Sequence, residues 1–317
     1  AIAVREVHRL LPPPGPPVPL DPAHSPRAFW RATAPRAVAA TFEVLIVWSD
    51  VVLVTALLGA AQGAVYAAAS RFVTSGTFAL QAVRLSVAPL LAAAFARADL
   101  AEAQYVHRLS VRWAILSTWP VYLAMAVFAP GVLSILGPAF APAAPTLTLL
   151  CLAMLGVVAN GNTNTVLNMA HRSHWAAANT GFATVVMLAT DLALVPRMGI
   201  LGAAVGWSAA MLTDATLGYL EVRAGLGLRS FDGPALRAAL AVLLGFGLPA
   251  LLARVAIGLL PAGRLPWPAT LLAGCVVAGI SYLTVLAAQR VPLGLDDLVA
   301  AVRRPRPPVS PLPGRSA

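Results

Sequence analysis

Between residues 39 and 288 the chain is almost continuously apolar, and a short turn interrupts it about every thirty residues. A bilayer core about 30 Å thick calls for roughly 20 apolar residues per helical span. Eight stretches supply that length: 39–58, 72–96, 113–133, 147–169, 176–195, 201–220, 235–260 and 268–288. The pattern predicts an all-α, polytopic membrane protein with about eight transmembrane helices. It also predicts an organisation: a proline-rich cytoplasmic linker over 1–38, a six-helix transmembrane lobe over 39–220, two further transmembrane helices over 221–288 and a disordered cytoplasmic tail over 289–317. Both tails hold proline runs, Pro12 to Pro19 and Pro305 to Pro313, which disfavour helix and packed core alike. One inner connection, 97–112, is amphipathic, with Leu100, Tyr105 and Leu109 set against Asp99, Glu102, His107 and Arg108. It is expected to lie along the membrane surface.

Composition agrees with that reading: 59% apolar and 11% charged residues, with a mean hydropathy of +0.80, would leave a soluble fold too little polar surface. The net charge of +10 is the one quantity that points elsewhere, towards nucleic acid. The arginines, however, sit between the spans, and no basic helix or aromatic–basic motif accompanies them, so no nucleic-acid partner is expected. They serve topology instead, because basic residues are retained on the cytoplasmic side of short loops. With the start of the chain inside, fourteen arginines flank the inner ends of the spans. Only Arg71, Arg197, Arg254 and Arg264 flank the outer ones. An even number of spans then puts both termini in the cytoplasm. All 22 basic residues are arginine and alanine is abundant, as in GC-rich bacterial genomes, so the expected location is a bacterial inner membrane. The chain opens on Ala1, with neither an initiator methionine nor a signal peptide, and is expected to be the later part of a longer protein.

Enzyme chemistry finds no foothold. The five histidines, His8, His24, His107, His171 and His174, fall in tails or inner loops, and His171 and His174 have no third ligand nearby. Neither a nucleophile elbow nor a phosphate-cradling glycine loop occurs, and no cofactor is implied. Cys151 and Cys275 lie inside apolar spans, where they read as small packing residues.

Four segments, in order, carry a resemblance. The first is Asp50-Val-Val-Leu-Val-Thr-Ala-Leu-Leu-Gly59 followed by Val65-Tyr66-Ala-Ala-Ala-Ser-Arg71. The second is Ile135-Leu-Gly137-Pro-Ala-Phe140 with Ala143-Ala-Pro-Thr-Leu147. The third is Val166-Leu-Asn-Met-Ala-His-Arg172 with Asn179, and the fourth is Leu194-Val-Pro196-Arg197-Met-Gly199-Ile-Leu-Gly202-Ala-Ala204. Together they resemble the C-terminal half of the bacterial polysaccharide (oligosaccharide) flippases, within the multidrug/oligosaccharidyl-lipid/polysaccharide exporter superfamily. The resemblance covers about 37–223. It departs at Asp191, where the family pattern usually has asparagine, and it reaches neither the family's first six spans nor the last two spans here. It implies the second lobe of a fold of about fourteen helices, with two helices added. The implied activity is alternating-access transport of an isoprenoid-diphosphate-linked oligosaccharide for polysaccharide biosynthesis. The implied partners are a missing N-terminal lobe and polysaccharide assembly proteins. Two other readings stay open: a cation-coupled multidrug exporter of the same superfamily, and a non-transporting scaffold for polysaccharide assembly.

Ionisable groups inside spans are costly and by default face a cavity or one another. Asp50, Arg84, Asp191 and Asp214 stand well inside, and Glu43 shares a face with Asp50. In the second span Thr74, Thr77, Gln81 and Arg84 recur at helical spacing and form a polar stripe expected to line a cavity. A guanidinium there matches phosphate oxygens in pairs, and the resemblance implies Arg84, with Arg71 nearer the outer mouth, as diphosphate ligands. Arg84 could equally pair with Asp50 or another carboxylate. Asp50 could bind a coupling cation or form a structural bridge, and Asp191 and Asp214 are expected to hydrogen-bond across helices. Asn160, Asn164 and Asn168 recur every four residues in the fourth span, which would suit sugar hydroxyls, interhelical bonding or, with Gly156 and Gly161 nearby, a hinge. Pro89, Pro120 and Pro249 are expected to kink their helices.

Overall fold

The computed structural model of the chain describes residues 26–259 and 267–289. The two proline runs and the side chain of Glu43 lie outside the described residues. In chain order the elements are α1 (Pro26–Leu58), α2 (Ala60–Ala96), α3 (Leu100–Val127), α4 (Ala129–Ser134), a 3₁₀ segment (Pro138–Ala143), α5 (Ala144–Asn160), α6 (Thr163–Met169), α7 (Ser173–Met198), α8 (Ile200–Leu226), α9 (Gly233–Val242), a π-helical segment (Leu243–Gly247), α10 (Leu248–Gly258) and α11 (Trp267–Ala288). No strand occurs among the described residues. Six stretches are long and apolar enough to cross a membrane, 60–96, 138–169, 173–198, 200–226, 233–258 and 269–288. The chain is thus an all-helical, membrane-embedded protein.

The other two expected spans are built differently. Within 39–58 the described apolar stretch is Trp48–Leu58, the end of the longer α1. The stretch 113–133 is two helices, because α3 stops at Val127 and α4 restarts after Phe128 with Pro130 in its first turn. A proline has no N–H for the carbonyl four residues back, and here that carbonyl, Ala126 O, accepts from Thr148 Oγ1 at 3.0 Å. The neighbouring Val127 O accepts from Arg254 Nη1. Pro120 acts in the same way inside α3: its missing N–H frees Leu116 O, which accepts from Tyr282 Oη of α11 at 2.7 Å. The expected kink site Pro120 and the break at Pro130 are therefore also docking points. Backbone acceptors with no helical donor recruit side chains from other helices, as a bilayer interior requires.

The segment 97–112 does not lie apart on the surface. Asp99 caps α3 through the amide of Glu102 at 2.9 Å, and the helix then runs unbroken into the bundle with Val106, His107, Leu109 and Arg112 already buried. Gln104 exchanges hydrogen bonds with the backbone of Arg229 and His107 meets Ser230, so contacts within the protein hold this stretch as a continuous helix.

Six helical units close a ring in which each packs on the next: α1, α2, α3, α5 with α6, α8, α7 and back to α1. Across the ring α2 also meets α5 and α8, and α1 meets α8, which closes its middle. Helices α9 to α11 pack on one another and on α3 and α4. The faces are sorted inside out. On α7, Phe182, Val185, Leu188 and Leu192 point outward, while Thr180, Thr184, Met187, Asp191 and Val195 are buried on the opposite side. Such sorting suits a solvent as apolar as leucine, in which helices associate through small residues and polar contacts. Gly76 shows the small-residue part: a Cβ there would come within 2.7 Å of the buried Tyr122 ring.

Candidate functional site

The intramembrane charges separate into two layers along the bundle. The first gathers around Asp50, which is 1% exposed. Tyr66 of α2, itself fully buried, donates its hydroxyl to Asp50 Oδ2 at 2.6 Å, and the Val51 amide donates to Oδ1 at 2.6 Å. Arg71, one helical turn and a little further along α2, lies close enough to Asp50 for their charges to interact. It does not close an ion pair; its guanidinium stacks on Trp48, 4.2 Å from the ring centroid. Asp50, Ser70, Arg71, Thr74 and Trp207 line a recess of about 30 Å³.

Asp191 of α7 completes this layer. It is fully buried, neither carboxylate oxygen has a hydrogen-bond partner among the described residues, and its charge interacts with that of Asp50. Oδ1 occupies the space that a Cβ would take on Gly206 of α8. The expected cross-helix hydrogen bond of Asp191 is absent. A buried carboxylate left without donors is costly, and it sets this position apart from Asp50.

The second layer is centred on Asp214 of α8. Thr180 Oγ1 of α7 meets Oδ1 at 3.0 Å, and Asn164 Nδ2 of α6 donates to Oδ2 at 3.0 Å. Asp214 therefore does bond across helices as expected. Gly218, one turn on, lets α6 approach: a Cβ there would stand 2.6 Å from Thr163 Oγ1. Glu221, two turns from Asp214, accepts from Asn179 Nδ2 at 2.6 Å and interacts electrostatically with both Asp214 and His174. Arg84 of α2 joins this layer, not that of Asp50. It is half-buried, its Nε is enclosed without a partner, and its guanidinium makes no hydrogen bond or ion pair among the described residues. Its charge interacts with that of Asp214. Arg71 and Arg84 lie thirteen residues apart on one helix, or about 20 Å at 1.5 Å per residue.

The remaining sequence candidates divide accordingly. Thr74 is exposed at the recess beside Asp50, Gln81 is exposed further along α2, and Thr77 is half-exposed. The asparagine stripe does not exist as one face. After Asn160 the chain breaks at Gly161, whose φ of +88° only glycine adopts readily, and α6 starts afresh at Thr163. Asn160 turns its amide back on Gly156 O at 3.1 Å, whereas Asn164 reaches Asp214. His107 and Ser230 pack against the break and meet each other at 2.9 Å. Burial, with the Arg108 guanidinium adjacent, pushes the His107 ring down to about 4. Sequence reasoning missed Glu221 and the Tyr66–Asp50 bond, although Tyr66 belongs to a quoted motif. No family model, curated protein or solved structure matches the chain.

Proposed function

We propose that the chain is one lobe of an alternating-access transporter that carries an isoprenoid-diphosphate-linked oligosaccharide from the cytoplasmic to the outer leaflet. The observation that carries this reading is Arg84. A permanently charged group deep in a membrane-spanning helix, with no hydrogen bond or ion pair among the described residues, is expensive unless an anion visits it. A guanidinium suits the paired oxygens of a diphosphate, and the unpartnered Asn164 Oδ1 beside Asp214 offers an acceptor for a sugar hydroxyl in the same layer. The exposed Thr74 and Gln81 of α2 add to it, because such a stripe belongs against a second lobe or a wet cavity and not against lipid. Arg71 and Asp50 would then act at the other layer, nearer the outer mouth.

The test is polymer export in cells carrying Arg84→Ala at normal protein abundance. A fall of tenfold or more is expected, with partial recovery in Arg84→Lys; unimpaired export would leave the scaffold reading. One observation favours a second reading, a cation-coupled drug exporter: the donor-free Asp191 beside Asp50 would suit a hydrophobic cation. In that case Asp191→Asn abolishes drug efflux and leaves polymer export intact.

A further inference from the structure

Arg112 of α3 is the one arginine that is buried among the described residues, at 8% exposure. Its Nε is enclosed without a partner, and its guanidinium makes neither a hydrogen bond nor an ion pair among the described residues. Arg108 lies one turn earlier on the same face. Helical side chains lean towards the start of their helix, so Arg112 reaches towards Arg108. Arg108 Nε is enclosed and bare as well. Its ion partner among the described residues, Asp232, stands 3.8 Å away, and the other oxygen of that carboxylate caps α9 through the Ala235 amide at 2.8 Å. Two like charges one turn apart repel, and a single carboxylate beyond hydrogen-bond reach leaves them short of a counter-ion.

Two contacts bracket this face of α3. Asp232 brings the start of α9 to Arg108, and Tyr282 of α11 reaches Leu116 O, one turn beyond Arg112, at 2.7 Å. Arg112 therefore lies at the seam where the added helices α9 and α11 meet the ring. Its level along the bundle is that of a membrane surface, because the apolar stretch of α3 begins at Trp113 and that of α9 at Gly233. Phe231, next to Asp232, and Leu236 and Leu240, one and two turns further on, are exposed. Charge and apolar surface thus meet at one place.

We infer that Arg112 and Arg108 form a site for the phosphate of an anionic phospholipid, which binds at this seam and ties α9 to α3. A phosphodiester carries one negative charge on two free oxygens, which match the paired donors of a guanidinium and supply the missing counter-ion. The acyl chains then cover Leu236 and Leu240. Basic pockets between transmembrane helices at headgroup level bind anionic lipid heads in this way. A free phosphate ion offers the same oxygens without the apolar part, so the exposed leucines favour the lipid. The site is separate from Arg84 and does not depend on what Arg84 binds.

Native mass spectrometry of the purified full chain, released from micelles doped with phosphatidylglycerol or phosphatidylcholine, tests this. The wild type is expected to retain phosphatidylglycerol in preference to phosphatidylcholine. Arg112→Ala should weaken that binding about tenfold or more, and Arg108→Ala should weaken it less. Arg197→Ala, at the opposite end of the bundle, and Arg84→Ala should bind as the wild type does. Phosphatidylglycerol should also raise the thermal midpoint of the wild type and leave that of Arg112→Ala where it is. Equal retention of phosphatidylglycerol by the wild type and Arg112→Ala overturns the inference. So does stabilisation by inorganic phosphate that depends on Arg112 and matches that by phosphatidylglycerol, because the ligand is then a free anion. If Arg112→Ala does not fold, Arg112→Gln takes its place, and a wild type that shows no preference for phosphatidylglycerol overturns the inference without any variant.

Discussion

The docking of α11 can be tested through the carbonyl that Pro120 leaves free. Tyr282 Oη donates to Leu116 O at 2.7 Å, and Pro120 is the reason that oxygen has no helical donor. In Tyr282→Phe the ring stays, including its edge-on packing against Phe246 at 6.3 Å, so little apolar contact is lost. What changes is one acceptor left bare between helices. An unsatisfied buried carbonyl costs about 1–3 kcal/mol in water-soluble proteins, and interhelical bonds in membranes fall nearer 0.6 with a maximum of about 1.7 kcal/mol. A loss of about 1–1.5 kcal/mol follows, because Leu116 O finds no second donor among the described residues.

The decisive comparison is a cycle with Pro120→Ala. Alanine restores an N–H at position 120, which can bond Leu116 O within α3, so the carbonyl no longer depends on Tyr282. Tyr282→Phe should then cost less than about 0.5 kcal/mol in the Pro120→Ala background, a coupling near 1 kcal/mol. Unfolding by sodium dodecyl sulfate in mixed micelles gives the four free energies, and hydrogen exchange along α11 reports its detachment. Equal costs of Tyr282→Phe in the two backgrounds would refute the argument that the proline recruits the tyrosine.

Two further predictions follow from sterics and from charge. Gly202→Ala should cost about 3 kcal/mol in the same unfolding assay, because its Cβ would meet the backbone of Leu194 and Val195 at 2.5–2.8 Å, where no side chain can give way; a cost under 1 kcal/mol would contradict the close helix approach. The neutral His107 ring should make stability pH-dependent: held at about 4 against 6.5 when unfolded, it binds fewer protons folded than unfolded. Its contribution is therefore complete above pH 6.5 and falls as pH drops to 4, by about 3 kcal/mol. The wild type should lose that much more than His107→Gln over this window in melts of the purified protein, and parallel curves would exclude it.

The arrangement was readable in the chain wherever counting along helices decides it. From the turn at Gly59, Asp50 is nine residues back and Tyr66 seven residues on, which sets both about 10–14 Å from the turn at 1.5 Å per residue and makes them partners. Arg84 is 25 residues on, more than 20 Å deeper by the same measure, so the pair with Asp50 left open above is ruled out by depth alone. The fourth motif is likewise steric: Gly199 turns with φ +62° and Gly202 lets α8 touch α7. Contacts between distant segments were not readable in this way. The turn signal Asn160-Gly161-Asn162 stood in the chain, but inside a stretch of spanning length it was read as continuous helix, so the asparagine stripe was drawn across a discontinuity. Leu116 and Tyr282 lie 166 positions apart, and Asn179 and Glu221 lie 42 apart. Only the packing of the helices brings them together.

The position of the charges constrains any route to Arg84. Because α2 meets α5 and α8 across the ring, the middle of the bundle is occupied by packed side chains, and both charged layers lie in seams between helices. A bulky, doubly charged headgroup cannot pass along such seams without parting helices whose contacts include the close approaches at Gly76 and Gly218. The exposed face of α2 offers another approach. It carries the exposed Thr74 and Gln81 together with Phe78 and Leu85, which are 74% and 77% exposed. A face that mixes hydroxyl and amide groups with large apolar side chains suits neither pure lipid nor bulk water. It does suit an amphipathic ligand with an isoprenoid chain and a polar head, provided that a second surface shields the polar stripe from lipid. If Arg84 binds a diphosphate as proposed, the exposed face of α2 is the approach that parts no helices, and a second lobe would shield it there.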